Sequence, residues 1–290
     1  MKKEGLDKRI ICVNKKSQIT VFIIIGILLV VAIAAYLTLN VSLNGNNANN
    51  MNYGETRPIY NFVQDCIEET GEDAIYQIGK TGGYVIAPEP RMHFDEKSDD
   101  GVAFYLHDSG KKFSNQNALT PSVPSAAPYE EVVFEKENLM PTKEIIEKQL
   151  SLYMDSFLYY CVGDFSDFSD FNITQGKIKT TSKIEKNKVV FNVNYPLTIS
   201  KESRTYVFNE FSGEVFVRLN QTYSLIQELM DEQMKKPDAI CMSCIYDLST
   251  KYDLKVKMMD AEGGIIFVVL DEKSKINNHD YLFYFANKYN

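Results

Sequence analysis

The chain has 290 residues, 44% of them apolar and 24% charged, with 18 Tyr, 17 Phe and no Trp. That composition excludes a disordered protein and leaves room for an anchor plus one large or two small domains. The formal net charge of −8 is unevenly spread: residues 1–18 hold six basic against two acidic side chains, leaving 25 basic and 37 acidic for the remainder. Phosphate-backbone recognition needs clustered Lys and Arg, so no nucleic-acid partner is expected for so acidic a body.

No charged side chain occurs between Ser17 and Gly54, and Val21–Leu39 is almost wholly apolar. About 20 helical residues cross the roughly 30 Å hydrocarbon layer, and a helix satisfies its own backbone there. The sequence predicts a transmembrane helix over 19–39. The basic excess predicts a cytoplasmic tail over 1–18 and an extracytoplasmic remainder. Two processing routes compete with an uncleaved single-pass anchor. Ala32-Ile33-Ala34 fits the small-x-small pattern of a signal cleavage site. Lys15-Lys16-Ser17-Gln18, running directly into the apolar helix, resembles archaeal type IV pilin precursors, which are cut just before the helix. Those precursors usually carry Gly or Ala where Ser17 stands, and the acidic residue early in many mature pilins falls near Phe22.

The Asn-rich segment after the span has nothing to bury and reads as a flexible stalk over 40–56. Beyond it, residues 57–290 read as one α+β domain of antiparallel sheets packed on helices, with a subdivision near residue 140 as an option. A first helix is expected from Pro58, with Ile59, Phe62, Val63, Cys66, Ile67, Ala74, Ile75 and Ile78 on one face and Gly82-Gly83 as its stop. Asp65, Glu68, Glu69, Glu72 and Asp73 read as its solvated side. Val102–Leu106 has strand character, and Pro121, Pro124 and Pro128 mark an exposed loop. After Pro141 a second helix is expected, with Ile145, Ile146, Leu150, Tyr153, Met154, Phe157, Leu158 and Cys161 as its apolar stripe. The period then shifts to two over 178–184, 189–195 and 206–217, which reads as a meander. Helical stretches over 221–235 and from Pro237 to Lys251 follow. Strands over 254–259, 265–270 and 281–286 close the chain, with turns at Gly263-Gly264 and Asn277-Asn278.

Four of the five cysteines, Cys66, Cys161, Cys241 and Cys244, fall in the exported part, where disulfides persist; Cys12 is on the cytoplasmic side. Cys66 and Cys161 sit on helix stripes and are candidates to bridge. Cys241-Met242-Ser243-Cys244 has three readings: a local or rearranged structural disulfide, a redox-active dithiol, which wants its first Cys at a helix N-terminus, or half of a zinc site, for which no second pair exists. His93, His107 and His279 show no ligand spacing. Asp164, Asp167 and Asp170 alternate with Phe165, Phe168 and Phe171 but lack the closing Glu of a calcium loop. No phosphate loop or nucleophile elbow is present. No catalytic residue, metal site or cofactor is therefore assigned. Sequons begin at Asn40, Asn172 and Asn220; Asn172 and Asn220 are the glycosylation candidates, Asn40 being too near the bilayer.

The initial Lys16–Val30 run, Asp65-Cys66 followed by Gly82-Gly83-Tyr84, Leu139-Met140-Pro141 and Phe285-Ala286-Asn287-Lys288-Tyr289 together resemble a group of uncharacterised, membrane-anchored proteins of small-genome archaea. That resemblance implies a single-pass anchor and an exported domain, and no activity. The expected function is a non-enzymatic cell-surface protein in the cell membrane, binding an envelope or surface partner or serving as a structural component. The alternatives are a minor type IV pilin-like subunit and an extracytoplasmic thiol-disulfide oxidoreductase using Cys241 and Cys244.

Overall fold

The computed structural model describes residues 54–93, 101–114 and 132–289. The expected tail, the span over 19–39, most of the stalk and the Pro121–Pro128 loop lie outside the described residues. Among the described residues, no helix is long and apolar enough to cross a membrane. Residues Glu55–Asn290 form one compact unit. It starts slightly before the expected boundary at 57: Thr56 is buried and Glu55 pairs with Arg204.

Helix α1 spans Arg57–Thr81, with Pro58 in its first turn and left-handed Gly82 and Gly83 at its end. The Gly83 N–H donates to the Ile78 carbonyl at 2.7 Å, a bond that closes the last turn. Its expected apolar face is buried apart from half-buried Phe62. Helix α2, Lys143–Val162, opens on Thr142, whose hydroxyl accepts from the Ile145 N–H. Its buried stripe is narrower than the sequence predicted. Ile146, Leu150, Met154 and Leu158 are buried, but Ile145 and Phe157 face solvent and Tyr153 is half-buried.

The first sheet holds β4 (Asn172–Gln175), β5 (Lys179–Ile184), β6 (Val189–Lys201) and β7 (Arg204–Val215). Strand β7 follows one edge of β6, and β4 and β5 share the other, all antiparallel. The second sheet joins β1 (Arg91–His93), β2 (Gly101–Ser114) and β3 (Val132–Asn138) to β8 (Lys255–Ala261), β9 (Gly264–Ile276) and β10 (His279–Asn287). The last three form a second meander. Asn277 and Asn278 both take positive φ in the two-residue turn between β9 and β10, the primed geometry that matches strand twist. One expectation fails here: the second sheet is not purely antiparallel. Phe104 and Leu106 of β2 pair in parallel with Ala286 and Asn287 of β10. That pairing joins segments about 180 residues apart in sequence, and no local pattern encodes it.

Between the meanders lie α3 (Leu219–Gln233) and α4 (Met242–Tyr252). The two-residue period of β9 and β10 sends Phe267, Val269, Phe283 and Phe285 into the main core and Ile266, Val268 and Ala286 to a smaller cluster with Met92, Val102 and Phe104.

Helix α2 also seals an edge. The outward N–H groups of Thr180, Ser182 and Ile184 donate to Asp155, Ser151 and Glu147 at 2.6, 2.9 and 2.9 Å. Four helical residues rise about 6 Å and two strand residues about 6.6 Å, so side chains four apart on the helix keep step with alternate N–H groups on the strand. An edge otherwise open to another chain is thereby satisfied.

Helix α1 touches both sheets through positions that lack a side chain. A Cβ at Gly71 would lie 2.7 Å from the Phe191 ring, and one at Gly79 would lie 2.5 Å from the Leu282 carbonyl oxygen. Ala in place of Gly gains up to about 1 kcal/mol of helix propensity, whereas overpacking costs about 1–3 kcal/mol. At Gly79 the obstacle is backbone, which cannot turn aside. Gly79→Ala is therefore expected to lower stability by about 1–2 kcal/mol, read as a reduced urea midpoint with an unchanged slope. An unchanged or raised midpoint would contradict this packing.

Candidate functional site

The structure brings Cys66, Cys161, Cys241 and Cys244 together in two pairs. Cys66 of α1 and Cys161 of α2 are bonded, with Cα atoms 5.6 Å apart and 95 residues between them in sequence. The helices run antiparallel: Cys66 near the start of α1 meets the end of α2, and Gly83 just past α1 lies against Ile146 near the start of α2. In the chain-entropy treatment, closing a loop of that length contributes about 4–5 kcal/mol. Cys241 and Cys244 are bonded to each other, Cα atoms 5.3 Å apart. So short a loop contributes only about 2 kcal/mol in the same treatment.

Beside the first disulfide is a groove of about 510 Å³, lined by Glu69, Thr70 and Asp73 from α1 and Tyr153, Phe157, Tyr160 and Cys161 from α2. The rings form a run along α2, with centroids 4.4 Å apart for Tyr153–Phe157 and 6.2 Å for Phe157–Tyr160. Tyr160 is 77% exposed and Phe157 42%. Burial first, and the Asp73 carboxylate second, raise the Tyr153 hydroxyl pKa, so it stays a neutral donor. Glu69 and Asp73 stand four apart on one helix face, where like charges repel. Among the described residues no Lys or Arg forms an ion pair with either carboxylate. The arrangement offers a cation negative charge on one side and aromatic faces on the other. Sequence periodicity missed it by assigning Tyr153 and Phe157 to the core; the signal was the density of rings, Tyr153, Phe157, Tyr159 and Tyr160, within two turns of one helix.

Cys241 is the N-cap of α4, and its sulfur accepts the Cys244 N–H at 3.4 Å. The preceding loop is tied down by buried Gln233, which donates to the Lys236 and Ala239 carbonyls at 2.9 and 2.7 Å. The far end of α4 is held by Arg218. Its guanidinium donates to the Asp253 carbonyl at 3.0 Å and to both oxygens of Asp271, which is fully buried. Ser274 bridges the pair, accepting from the Arg218 N–H and donating to Asp271. This network was not read from the sequence. Its only signals there are single charges beside apolar runs, Arg218 after Val215-Phe216-Val217 and Asp271 after Ile265–Leu270.

The other sequence candidates are dispersed. His93, His107 and His279 lie on three different strands. Asp164 accepts the Ser166 N–H within a tight turn, and Phe165 packs against Phe62. Asn172 is exposed at the start of β4. Asn220 is half-buried in α3, where its side chain accepts from Lys143 at 2.7 Å, and Thr222 of the same sequon is buried. No group of three or more His, Cys, Asp or Glu side chains among the described residues is arranged to hold a metal ion.

No family model, curated protein or solved structure matches this chain.

Burial pushes the Asp271 carboxyl up, but the Arg218 guanidinium, the Ser274 hydroxyl and the Lys273 N–H outweigh it and hold the pKa below the ordinary value. A carboxylate depressed in the folded state contributes stability that is complete above its unfolded value of about 3.9. That contribution is lost as pH falls through the lower folded value. Asp271→Asn leaves Arg218 without its counter-charge and is expected to cost about 3–5 kcal/mol at pH 7. The variant should also lose much of the acid dependence the wild type shows below about pH 4. Chemical denaturation across pH checks both; parallel stability curves for the two proteins would refute the assignment.

Proposed function

We propose that this protein is a membrane-anchored surface protein. Residues 19–39 span the bilayer, 1–18 remain in the cytoplasm, and the α+β domain outside binds a basic segment of an envelope or surface protein. The observation that carries the binding reading is the groove between α1 and α2, where Tyr153, Phe157 and Tyr160 face Glu69 and Asp73. A Lys or Arg side chain entering it would relieve the repulsion between the two carboxylates and gain a cation–π contact. The chemistry on offer is recognition: the groove pairs carboxylates with rings and contains neither a nucleophile next to a base nor a metal-ligand set. The acidity of residues 19–290 favours the same class of partner by long-range attraction. The external placement is supported by the apolar run, the charge asymmetry about it and the two bonded cysteine pairs.

The test is titration of the full-length protein in detergent with a synthetic Lys/Arg-rich peptide and with a Glu-rich control, followed by heteronuclear NMR. Saturable binding of the basic peptide alone is expected, with shifts centred on residues 69–73 and 153–160. Tyr160→Ala should weaken it about tenfold, the worth of one partly desolvated cation–π contact. Glu69→Gln should weaken it and reduce its salt dependence. Tyr160 is too exposed for its loss to unfold the domain. Equal affinity of Tyr160→Ala and wild type, or no binding of the basic peptide, would dispose of the groove as a cation site.

A further inference from the structure

The two disulfides are built for different work. Cys66–Cys161 closes a long loop between two core helices, and Cys66 is buried. Cys241–Cys244 closes a loop with sequence separation 3 at the surface. The chain-entropy resistance to opening differs between them by about a hundredfold. The segments on either side of the second bond have ties of their own. Gln233 already fixes the loop before it, and Arg218 together with the Glu228 contacts to Lys251 and Tyr252 fixes the other end of α4.

The two sulfurs are also unequal. Cys244 packs against the main hydrophobic core, whereas Cys241 is not part of that cluster. Around Cys241 the surface is open: Met242 and Ser243 are exposed, and Tyr246, one turn along, is 73% exposed. Both cysteines are half-buried, and the open surface beside Cys241 is the side from which a sulfur can approach. At the N-cap of an 11-residue helix, a thiolate on Cys241 would accept the Cys244 N–H and lie in the favourable end of the helix field. That geometry stabilises the reduced form and so makes the disulfide the more ready to accept electrons.

We infer that Cys241–Cys244 is a thiol–disulfide exchange site that accepts electrons from the paired thiols of a partner protein, with Cys241 as the attacked sulfur. In the first step, a partner thiolate bonds to the Cys241 Sγ. The Cys241–Cys244 bond breaks, and its electron pair goes to Cys244, which takes up a proton. In the second, the partner's other thiolate attacks its own sulfur in the mixed disulfide and expels Cys241 as thiolate. The net change is two electrons from the partner dithiol to the pair; of the two protons the dithiol gives up, one is taken by Cys244 and the other goes to solvent, leaving Cys241 as thiolate. A low-molecular-weight disulfide, itself reduced to two thiols, returns the pair to the bonded state. The exported placement proposed above matters only for keeping the pair oxidised in the cell; the chemistry can be read on purified protein.

The experiment uses the full chain in detergent and a synthetic peptide containing two cysteines. Reduced peptide mixed with wild type should become a disulfide in one-to-one stoichiometry with opening of Cys241–Cys244, while non-reducing peptide maps still show Cys66–Cys161 intact. Glutathione disulfide should then close the pair again. With oxidised peptide, Cys244→Ser should accumulate a covalent adduct on Cys241 about tenfold faster than Cys241→Ser does on Cys244. The double variant Cys241→Ser/Cys244→Ser should still unfold in one cooperative transition with a midpoint only slightly below that of wild type, so that loss of exchange is separable from loss of fold. The inference is overturned if Cys241–Cys244 opens only together with Cys66–Cys161, if the peptide is not oxidised, or if the two single variants form adducts at equal rates. None of these outcomes depends on whether the groove between α1 and α2 binds a basic peptide.

Discussion

Helix α1 meets two sheets at once, and it can do so because Gly71 and Gly79 present no side chain where Phe191 of one sheet and the Leu282 carbonyl of the other come closest. Two glycines inside a helix cost up to about 1 kcal/mol each in propensity. The return is a helix whose face from Ile59 to Ile78 is buried, with side chains there worth about 1.5–3 kcal/mol apiece. The first sheet answers with a glycine of its own: a Cβ at Gly213 would lie 2.6 Å from Ile67. Remove this close approach and the two meanders lose their shared support.

Around that axis, the remaining elements protect what the sheets leave open. Helix α2 supplies Glu147, Ser151 and Asp155 to the free edge of β5, and the Cys66–Cys161 bond ties it to α1. With its core face and its strand-facing side both occupied, α2 has one side left, and there it carries Tyr153, Phe157 and Tyr160. The rings are consequently held on a rigid support beside Glu69 and Asp73, an arrangement suited to recognition because little conformational freedom remains to be lost on binding. Helix α4 is organised differently. Its C-terminal end is clamped by Arg218, while its N-terminal end delivers Cys241 to the surface.

Much of this order was legible in the residues. The face of α1, the α2 start after Pro141, both meanders and the turns at Gly263 and Asn277-Asn278 follow from periodicity and turn chemistry, and the Cys66–Cys161 pairing from two cysteines on apolar stripes. Strand β4 escaped because Asn172–Gln175 alternates only between exposed and half-buried positions. The parallel contact of β2 with β10 escaped because it is tertiary and short. The edge ladder could be seen only once helix and strand were set side by side, since spacing by four in one and by two in the other means nothing in either alone. The groove was misread for a related reason. Periodicity reports which residues can share a face, but the width of the buried stripe is set by the neighbouring elements, and here Tyr153 and Phe157 fall on the rim of the contact with α1 and not inside it.

The proposed surface placement requires that the domain mature where disulfides persist, on the far side of a retained anchor. Peptide mapping of the full-length protein isolated from membranes, without reductant and with thiols blocked at lysis, tests this most directly. It should find peptides from residues 1–18 still present, with Cys66 linked to Cys161. Free Cys66 and Cys161 throughout the population would contradict an external domain, and a mature chain beginning at Gln18 would contradict the retained tail and favour the pilin-like alternative.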